Sequence, residues 1–437
     1  MVTPETNRQS KTRFRVLAFL FINVVINYMD RTNIAVAAPF MTTELKLNTV
    51  QLGLVFSAFG WAYVAFQIPG GIIIDRISAR LLYAITLCSW SVVTLLQGVT
   101  RGFSMLLGLR MATGMFEAPS YPINNRVVSN WFPEHERASA IAVYTSGQFI
   151  GLAFLTPVLA IVQHYWGWRG LFVTTGCIGI IWGVIWYMFY RDPVSKEANA
   201  DHAIPSNQLS NKKVSLSEFK QVLSNKKLWG IYIGQFSVTS TLWFFLTWFP
   251  TYLVKYRGFD FLKSGFLSSV PFLAAFAGVI LSGIISDHLT KKGASFSVAR
   301  KLPVITGLLL STLIIGANYV NSTTLVILFM TIAFFGNGLA SIAWVFVSAL
   351  APENLVGLTG GVFNFMGGLS SIVIPLVIGI LAKSGSFTSS ILFIGALAFV
   401  GVLSYIFLVG KIGQSNKRPY AKALVTVTYK KYDEPVS

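Results

Sequence analysis

Four ionisable side chains lie inside otherwise apolar stretches of this chain: Asp30 and Arg31 toward the end of one, Arg110 and Glu117 in another. A charge at membrane depth is costly unless it is paired or hydrated, so each is a candidate for function. Two acids and two bases in one half of the chain could simply neutralise each other, but their neighbours favour a site. Asn23, Asn27, Asp30 and Arg31 recur at helical spacing, with Tyr28 and Asn33 beside them, which gives a polar stripe facing a helix-bundle interior. Arg110, Thr113, Glu117, Tyr121 and Asn124 recur at three and four residues, and Tyr63, Thr145 and Gln148 add polar groups from other apolar runs. Arg110 and Glu117 are separated by about 10 Å of helix axis, so they share a face but are poorly set to pair. The spacing therefore predicts Arg110 with Asp30. It leaves Glu117 between Phe116 and Ala118, where a carboxyl is a candidate proton carrier.

The second half of the chain has no charge inside an apolar run, yet it has a polar line of its own. Asn337, Ser341, Trp344 and Ser348 fall at spacings of four, three and four, and Asn364 is followed by Ser370 and Ser371. Hydroxyls, amides and an indole on one face can bind sugar hydroxyls. The same residues can also hydrogen-bond helix to helix.

Composition dictates the elements that carry these groups. Of 437 residues, 54% are hydrophobic and 11% charged, where a soluble domain holds about 25% charged residues. Apolar runs of about 20 residues suffice to cross a hydrocarbon core about 30 Å thick. Such runs lie near 14–38, 50–74, 81–99, 103–125, 138–162, 168–190, 228–254, 264–286, 302–320, 324–349, 357–381 and 387–410. Pro69, Pro119, Pro122, Pro157 and Pro375 fall inside them and are expected to kink helices. The net charge of +18 could suggest a polynucleotide partner, but its placement excludes one. Of the 34 Lys and Arg, two lie within spans and seven, Lys46, Arg101, Arg169, Lys255, Arg257, Lys263 and Lys383, fall in loops opposite the termini; the remaining 25 fall on the side of the termini. That asymmetry predicts both termini in the cytoplasm, with the excess charge against anionic lipid headgroups. The basic start Arg8 to Arg15 runs straight into the first span, which reads as an uncleaved anchor.

A polar stretch with the amphipathic run Val214 to Leu223 divides the spans six and six. The expected organisation is a terminal segment 1–13, a first bundle 14–190, a linker 191–227, a second bundle 228–410 and a tail 411–437. The halves echo each other. Gly71 precedes Asp75 and Arg76 by the same interval as Gly283 precedes Asp287 and His288, with Arg80 or Lys291 following, and Pro133-Glu134 has a counterpart in Pro352-Glu353. The fold class is therefore all-α and integral to the membrane, with twelve transmembrane helices in two six-helix pseudo-symmetric bundles.

The pattern Gly-x4-Asp-Arg-x3-Arg from Gly70 to Arg80 resembles the loop signature of the major facilitator superfamily. In that reading Asp75, Arg76, Arg80 and Asp287 are gating residues that bond helix ends when the inside gate shuts. Asn27-Tyr-Met-Asp-Arg-Thr-Asn33, Gln67-Ile-Pro-Gly-Gly71, Gly114-Met-Phe-Glu-Ala-Pro119 and Trp131-Phe-Pro-Glu-His-Glu-Arg-Ala138 resemble, more narrowly, the anion:cation symporter family and its bacterial proton-coupled sugar-acid transporters. The resemblance runs through nearly all twelve spans. It implies that Asp30 and Glu117 are protonation sites and that Arg31 and Arg110 couple protonation to carboxylate binding. It also implies that Tyr28, Tyr63 and Gln148, with Arg31, contact substrate from the first half, and Ser341, Trp344 and Asn364 from the second. The implied activity is symport of a sugar-acid anion such as D-galactonate or a related hexonate with protons, by a monomer in the bacterial inner membrane, without a cofactor or metal. Hexuronate or glucarate transport, or an exporter or antiporter of organic acids or drugs, is the alternative. A sensor with a transporter fold would keep the same site. An enzyme is not expected: His135, His164, His202 and His288 are scattered, and no metalloprotease, nucleophile-elbow or phosphate-loop motif occurs.

Overall fold

The structure is a computed structural model that describes residues 4–74, 77–193, 216–352 and 355–410. Asp75 and Arg76, linker residues 194–215, Glu353 and the tail 411–437 lie outside the described residues. Among the described residues every regular element is helical. This follows from the solvent the composition selects, since in hydrocarbon a helix satisfies its own backbone polar groups.

In the first half, α1 (Pro4–Glu44), α2 (Thr49–Ile74) and α3 (Ala79–Gln97) are single helices. The fourth crossing is split into α4 (Phe103–Glu117) and α5 (Ser120–Trp131), with Pro119 at the start of α5. Ala118 and Pro119, which join them, keep helical backbone angles, so the passage is kinked where the proline stands, and Glu117 is the last residue of α4. Helix α6 (Glu134–Phe189) holds two crossings that fold back at Gly167, whose φ of 68° and ψ of 175° interrupt it. The linker contributes α7 (Leu216–Ser224), where the amphipathic run was expected.

In the second half, α8 (Lys226–Thr247) continues through Phe249–Thr251 into a π-helical turn, Tyr252–Tyr256. Next come α9 (Phe261–Lys291) and α10 (Phe296–Thr312), which ends in a 3-10 stretch, Leu313–Tyr319. Helix α11 (Thr323–Ala340) passes through a 3-10 turn, Ser341–Trp344, into α12 (Val345–Leu350). Two further helices, α13 (Val356–Leu381) and α14 (Thr388–Leu403), complete the half. Nine of these segments are long and apolar enough to cross a membrane by themselves. With α6 counted as two and the kinked fourth and the seventh passages included, the path is consistent with the twelve crossings predicted.

Helices α1–α6 form one group and α8–α14 another. The groups meet where α2 lies along α13 and where α6 lies along α9. These joins are at the face opposite the termini. A Cβ on Gly53 would come within 2.6 Å of the Pro375 carbonyl oxygen, so only glycine lets the two backbones meet there. Trp248 Nε1 donates to that same carbonyl at 3.1 Å. Phe40 and Phe261 meet edge to face at 4.9 Å, and Lys255 donates to the Thr42 hydroxyl. Toward the termini face, Phe66, Ile141, Ile284 and Phe365 are exposed.

Each group also caps a helix end on the opposite face with an arginine. Arg169 Nη1 donates to the carbonyls of Gly98 and Thr100 beyond α3, while its Nε and Nη2 bind Glu44 at the end of α1. In the second group Arg257 donates to the carbonyls of Ala317 and Val320 beyond α10.

The backbone conformation at Gly167 is one that essentially only glycine adopts. Gly167→Ala is expected to lower stability by about 1–3 kcal/mol, read as a lower unfolding midpoint in detergent. An unchanged midpoint would refute the reversal at this residue.

Candidate functional site

The centre of the first group is an ion pair between α1 and α4. Arg31 donates from Nε to Glu117 Oε1 at 2.6 Å, and Nη2 lies at 2.6 Å from the same oxygen. Glu117 is wholly buried and Arg31 nearly so. The Arg31 guanidinium stands over the rings of Tyr28, Phe59 and Tyr63 at 5.0, 5.1 and 5.0 Å. Phe59 and Tyr63 are themselves stacked at 5.4 Å. Aromatic faces hold a cation that hydrocarbon would otherwise reject, and desolvation strengthens that attraction.

Arg110 occupies the other side of Phe59's reach, its guanidinium 5.2 Å from the same ring. It is 1% exposed. Among the described residues it makes no ion pair, and its Nε and Nη1 have no hydrogen-bond partner. The expected Arg110–Asp30 pair is therefore not made. Both oxygens of Asp30 are taken: Trp90 Nε1 donates to Oδ2 at 3.0 Å and Asn33 Nδ2 lies 3.4 Å from Oδ1. Arg31 pairs with Glu117 instead of leaving that acid among apolar groups. Successive helical residues point about 100° apart, so Asp30 and Arg31 serve different neighbours although they adjoin in sequence. Thr113, the polar residue between Arg110 and Glu117, accepts from Gln97 Nε2 at 3.1 Å.

The structure thus brings together Tyr28, Asp30, Arg31, Tyr63, Arg110 and Glu117. Gln148, on the first passage of α6, is half-buried and has no hydrogen-bond partner among the described residues. Thr145 is spent on its own helix, donating to Ile141 O at 2.7 Å. Two contributors were not anticipated. Phe59 is the ring shared by both guanidinium groups, and Trp90 holds Asp30. The signal for Trp90 was available, because an indole N–H inside a span must find an acceptor.

The second group sorts its polar line into two kinds. Asn337 Nδ2 donates to Val238 O at 2.6 Å, joining α11 to α8, and Ser348, Ser370 and Ser371 each donate within their own helix. These residues hold helices. Ser341, Trp344 and Asn364 carry no such bond among the described residues, and Trp344, 50% exposed, rests edge to face on Phe363 at 4.8 Å. They lie in the second group without direct contact to the ion pair.

Of the residues expected to gate, the two that are described, Arg80 and Asp287, sit within their own groups. Arg80 Nε donates to Tyr187 O at 2.8 Å with its guanidinium over the Tyr187 ring, and Asp287 pairs with Arg300 at 3.2 Å. Among the described residues no group of His, Cys, Asp and Glu could hold a metal ion.

Known proteins resemble this arrangement throughout its length. The family description "Major Facilitator Superfamily" matches residues 20–299. A D-galactonate transporter of Escherichia coli strain CFT073 is 49% identical over 419 residues, covering 93% of this chain and 97% of that protein. A probable galactarate/D-glucarate transporter of Escherichia coli K12 is 40% identical over 432 residues, covering 93% and 97%. Among solved structures, a bacterial homolog of the human lysosomal transporter Spinster, in an inward-facing and occupied conformation, superposes with a TM-score of 0.75 at 18% identity. That match covers 92% of this chain and 97% of the other.

Removing one partner of a buried ion pair typically costs about 3–5 kcal/mol, while replacing both by apolar groups can be neutral. Glu117→Leu should therefore destabilise the protein strongly, and Arg31→Met with Glu117→Leu should recover most of the loss in detergent melting. A single variant as stable as the double would refute the pairing.

Proposed function

This chain belongs to the Major Facilitator Superfamily and is a multi-pass membrane transporter, not an enzyme; from that premise we propose that it takes up a sugar-acid anion, D-galactonate or a related hexonate, together with protons. The observation that carries the reading is Arg110: a guanidinium buried beside the Arg31–Glu117 pair with no anion of its own among the described residues. Such a group is stable at membrane depth when an anion joins it, and a carboxylate can take two parallel hydrogen bonds from a guanidinium. The similarity to transporters of D-galactonate and, as named, of galactarate and D-glucarate supports the anion's being a sugar acid.

The electrostatics give the order of events. While Glu117 is a carboxylate it occupies Arg31. A proton on Glu117 removes that partner and frees Arg31 to turn with Arg110 toward the substrate carboxylate. Asp30, held by Trp90 and Asn33, is the second protonation site. Tyr28, Tyr63 and Gln148 meet the anion from the first group; Ser341, Trp344 and Asn364 offer hydroxyl, indole and amide to the sugar chain from the second. Proton loss on the far side restores the ion pair and expels the anion. The basic face that carries the termini is the cytoplasmic one, and the anion is released there.

An inside-negative membrane opposes entry of an anion by about 2.3 kcal/mol per charge per 100 mV. One accompanying proton cancels that opposition, and two make the potential a driving force. Segments 14–190 and 228–410 rock as units about the site, the linker 191–227 joining them, and Asp75, Arg76, Arg80 and Asp287 latch the inner side when it closes. One copy embedded in lipid suffices, since the site lies between two halves of the same chain.

A pulse of D-galactonate onto proteoliposomes is expected to acidify the interior and carry positive charge inward. Glu117→Gln should abolish the acidification, and Arg110→Gln should abolish substrate binding by calorimetry. Acidification by glucuronate but not galactonate would change the substrate alone; silence to every sugar acid would sink the reading.

A further inference from the structure

Around Glu117 the first group carries more polar side chain than the ion pair uses. Asn23 and Asn27 on α1, Tyr83 on α3 and Asn124 on α5 are all wholly buried. Among the described residues, both ends of the Asn27 and Asn124 carboxamides, Asn23 Nδ2, the Tyr83 hydroxyl and Glu117 Oε2 have no hydrogen-bond partner. Buried polar atoms are almost always satisfied, and where protein groups do not serve them, bound water does.

These groups are ordered in space. From Asp30, Asn27 and Asn23 follow at one and two turns along α1 toward the termini face. From Trp90, the partner of Asp30, Tyr83 follows at two turns along α3 in the same direction. From Glu117, Asn124 follows across the α4–α5 kink, again toward the termini face. Each of the three separations amounts to about 10 Å of helix axis. The Tyr83 hydroxyl faces both Asn23 and Asn124. Trp90 and Trp186 flank its ring at 6.3 and 4.9 Å.

On the proton-coupled reading above, we infer that Asn27, Asn23, Tyr83 and Asn124 line a hydrated proton exit from Asp30 and Glu117 to the termini face, inside the first helix group and separate from the substrate's route between the groups. The proton leaves the Glu117 carboxyl, moves along water held by the amides and the Tyr83 hydroxyl, and leaves behind the carboxylate that pairs with Arg31. The charged groups at its inner end are Asp30, Arg31, Arg110 and Glu117. The amides do not titrate; they hold water in line. A separate exit lets protons depart without waiting for the anion to leave the space between the groups.

Tyr83→Phe and Asn124→Leu test this in proteoliposomes with two assays. Net proton-driven D-galactonate uptake requires protons to leave on the far side, whereas counterflow between equal substrate pools does not. Net uptake and its acidification should slow by about tenfold or more, while counterflow stays within about twofold of the unmodified protein. Asn124→Ser, which keeps a polar group, should retain more net uptake than Asn124→Leu. Tyr83→Phe removes a single oxygen and carries the test if Asn124→Leu does not fold. Equal loss in both assays, or loss in neither, overturns the exit. Absence of substrate-evoked acidification in the unmodified protein would instead overturn the proton-coupled reading.

Discussion

A carboxylate inside hydrocarbon stays ionised only beside a cation, and a guanidinium there must find an anion or an aromatic face, and much of the first helix group is arranged around that requirement. Arg31 and Glu117 bring α1 and α4 together at one oxygen. Three aromatic rings close around the guanidinium. The kink after Glu117 places the acid at a helix end, where Ser120 donates to its backbone carbonyl at 2.7 Å. Because the pair is the condition for both charges being there, anything that discharges one member must be met by a new partner for the other. This makes the pair a switch as well as a bond.

The two groups divide their chemistry unequally. In the first, titratable residues are locked into a network of rings, indole and amide. In the second, the helix-joining work falls to Asn337 and to serines bonded within their own helices, which leaves Ser341, Trp344 and Asn364 without obligations. A half that changes charge and a half that presents unspent polar groups can act on one ligand without either being rebuilt. The contact between them, tight at Gly53 and Pro375, is made largely of close backbone approach and ring edges, interactions that separate without leaving a buried charge exposed.

Fold and site were legible to different depths. The apolar runs and the charge asymmetry foretold a helical membrane protein, since lipid leaves a chain few alternatives. The residues of the central cluster were also legible, because ionisable groups and amides at helical spacing stand out against an apolar background. Their pairing was not. Periodicity says which face of a helix a residue occupies, but Arg31 meeting Glu117 depends on how α1 and α4 are placed side by side, which no single helix encodes. Phe59 escaped notice because a phenylalanine in a membrane span is unremarked, and its importance comes only from the two cations that reach the same ring. Likewise, the prolines marked where the fourth passage yields, but not that the kink would fall directly after Glu117.

The arginine caps bear on what stays rigid when the halves move. The ends of α3 and α10 stand at corresponding places in their groups, and each has its terminal carbonyls bound by an arginine. Yet Arg169 comes from the reversal inside α6, whereas Arg257 comes from the loop ahead of α9. The two halves thus tether the same helix end from different neighbours, so when the halves move relative to each other each third helix stays tied to its own group by a clasp that no contact with the other half can loosen.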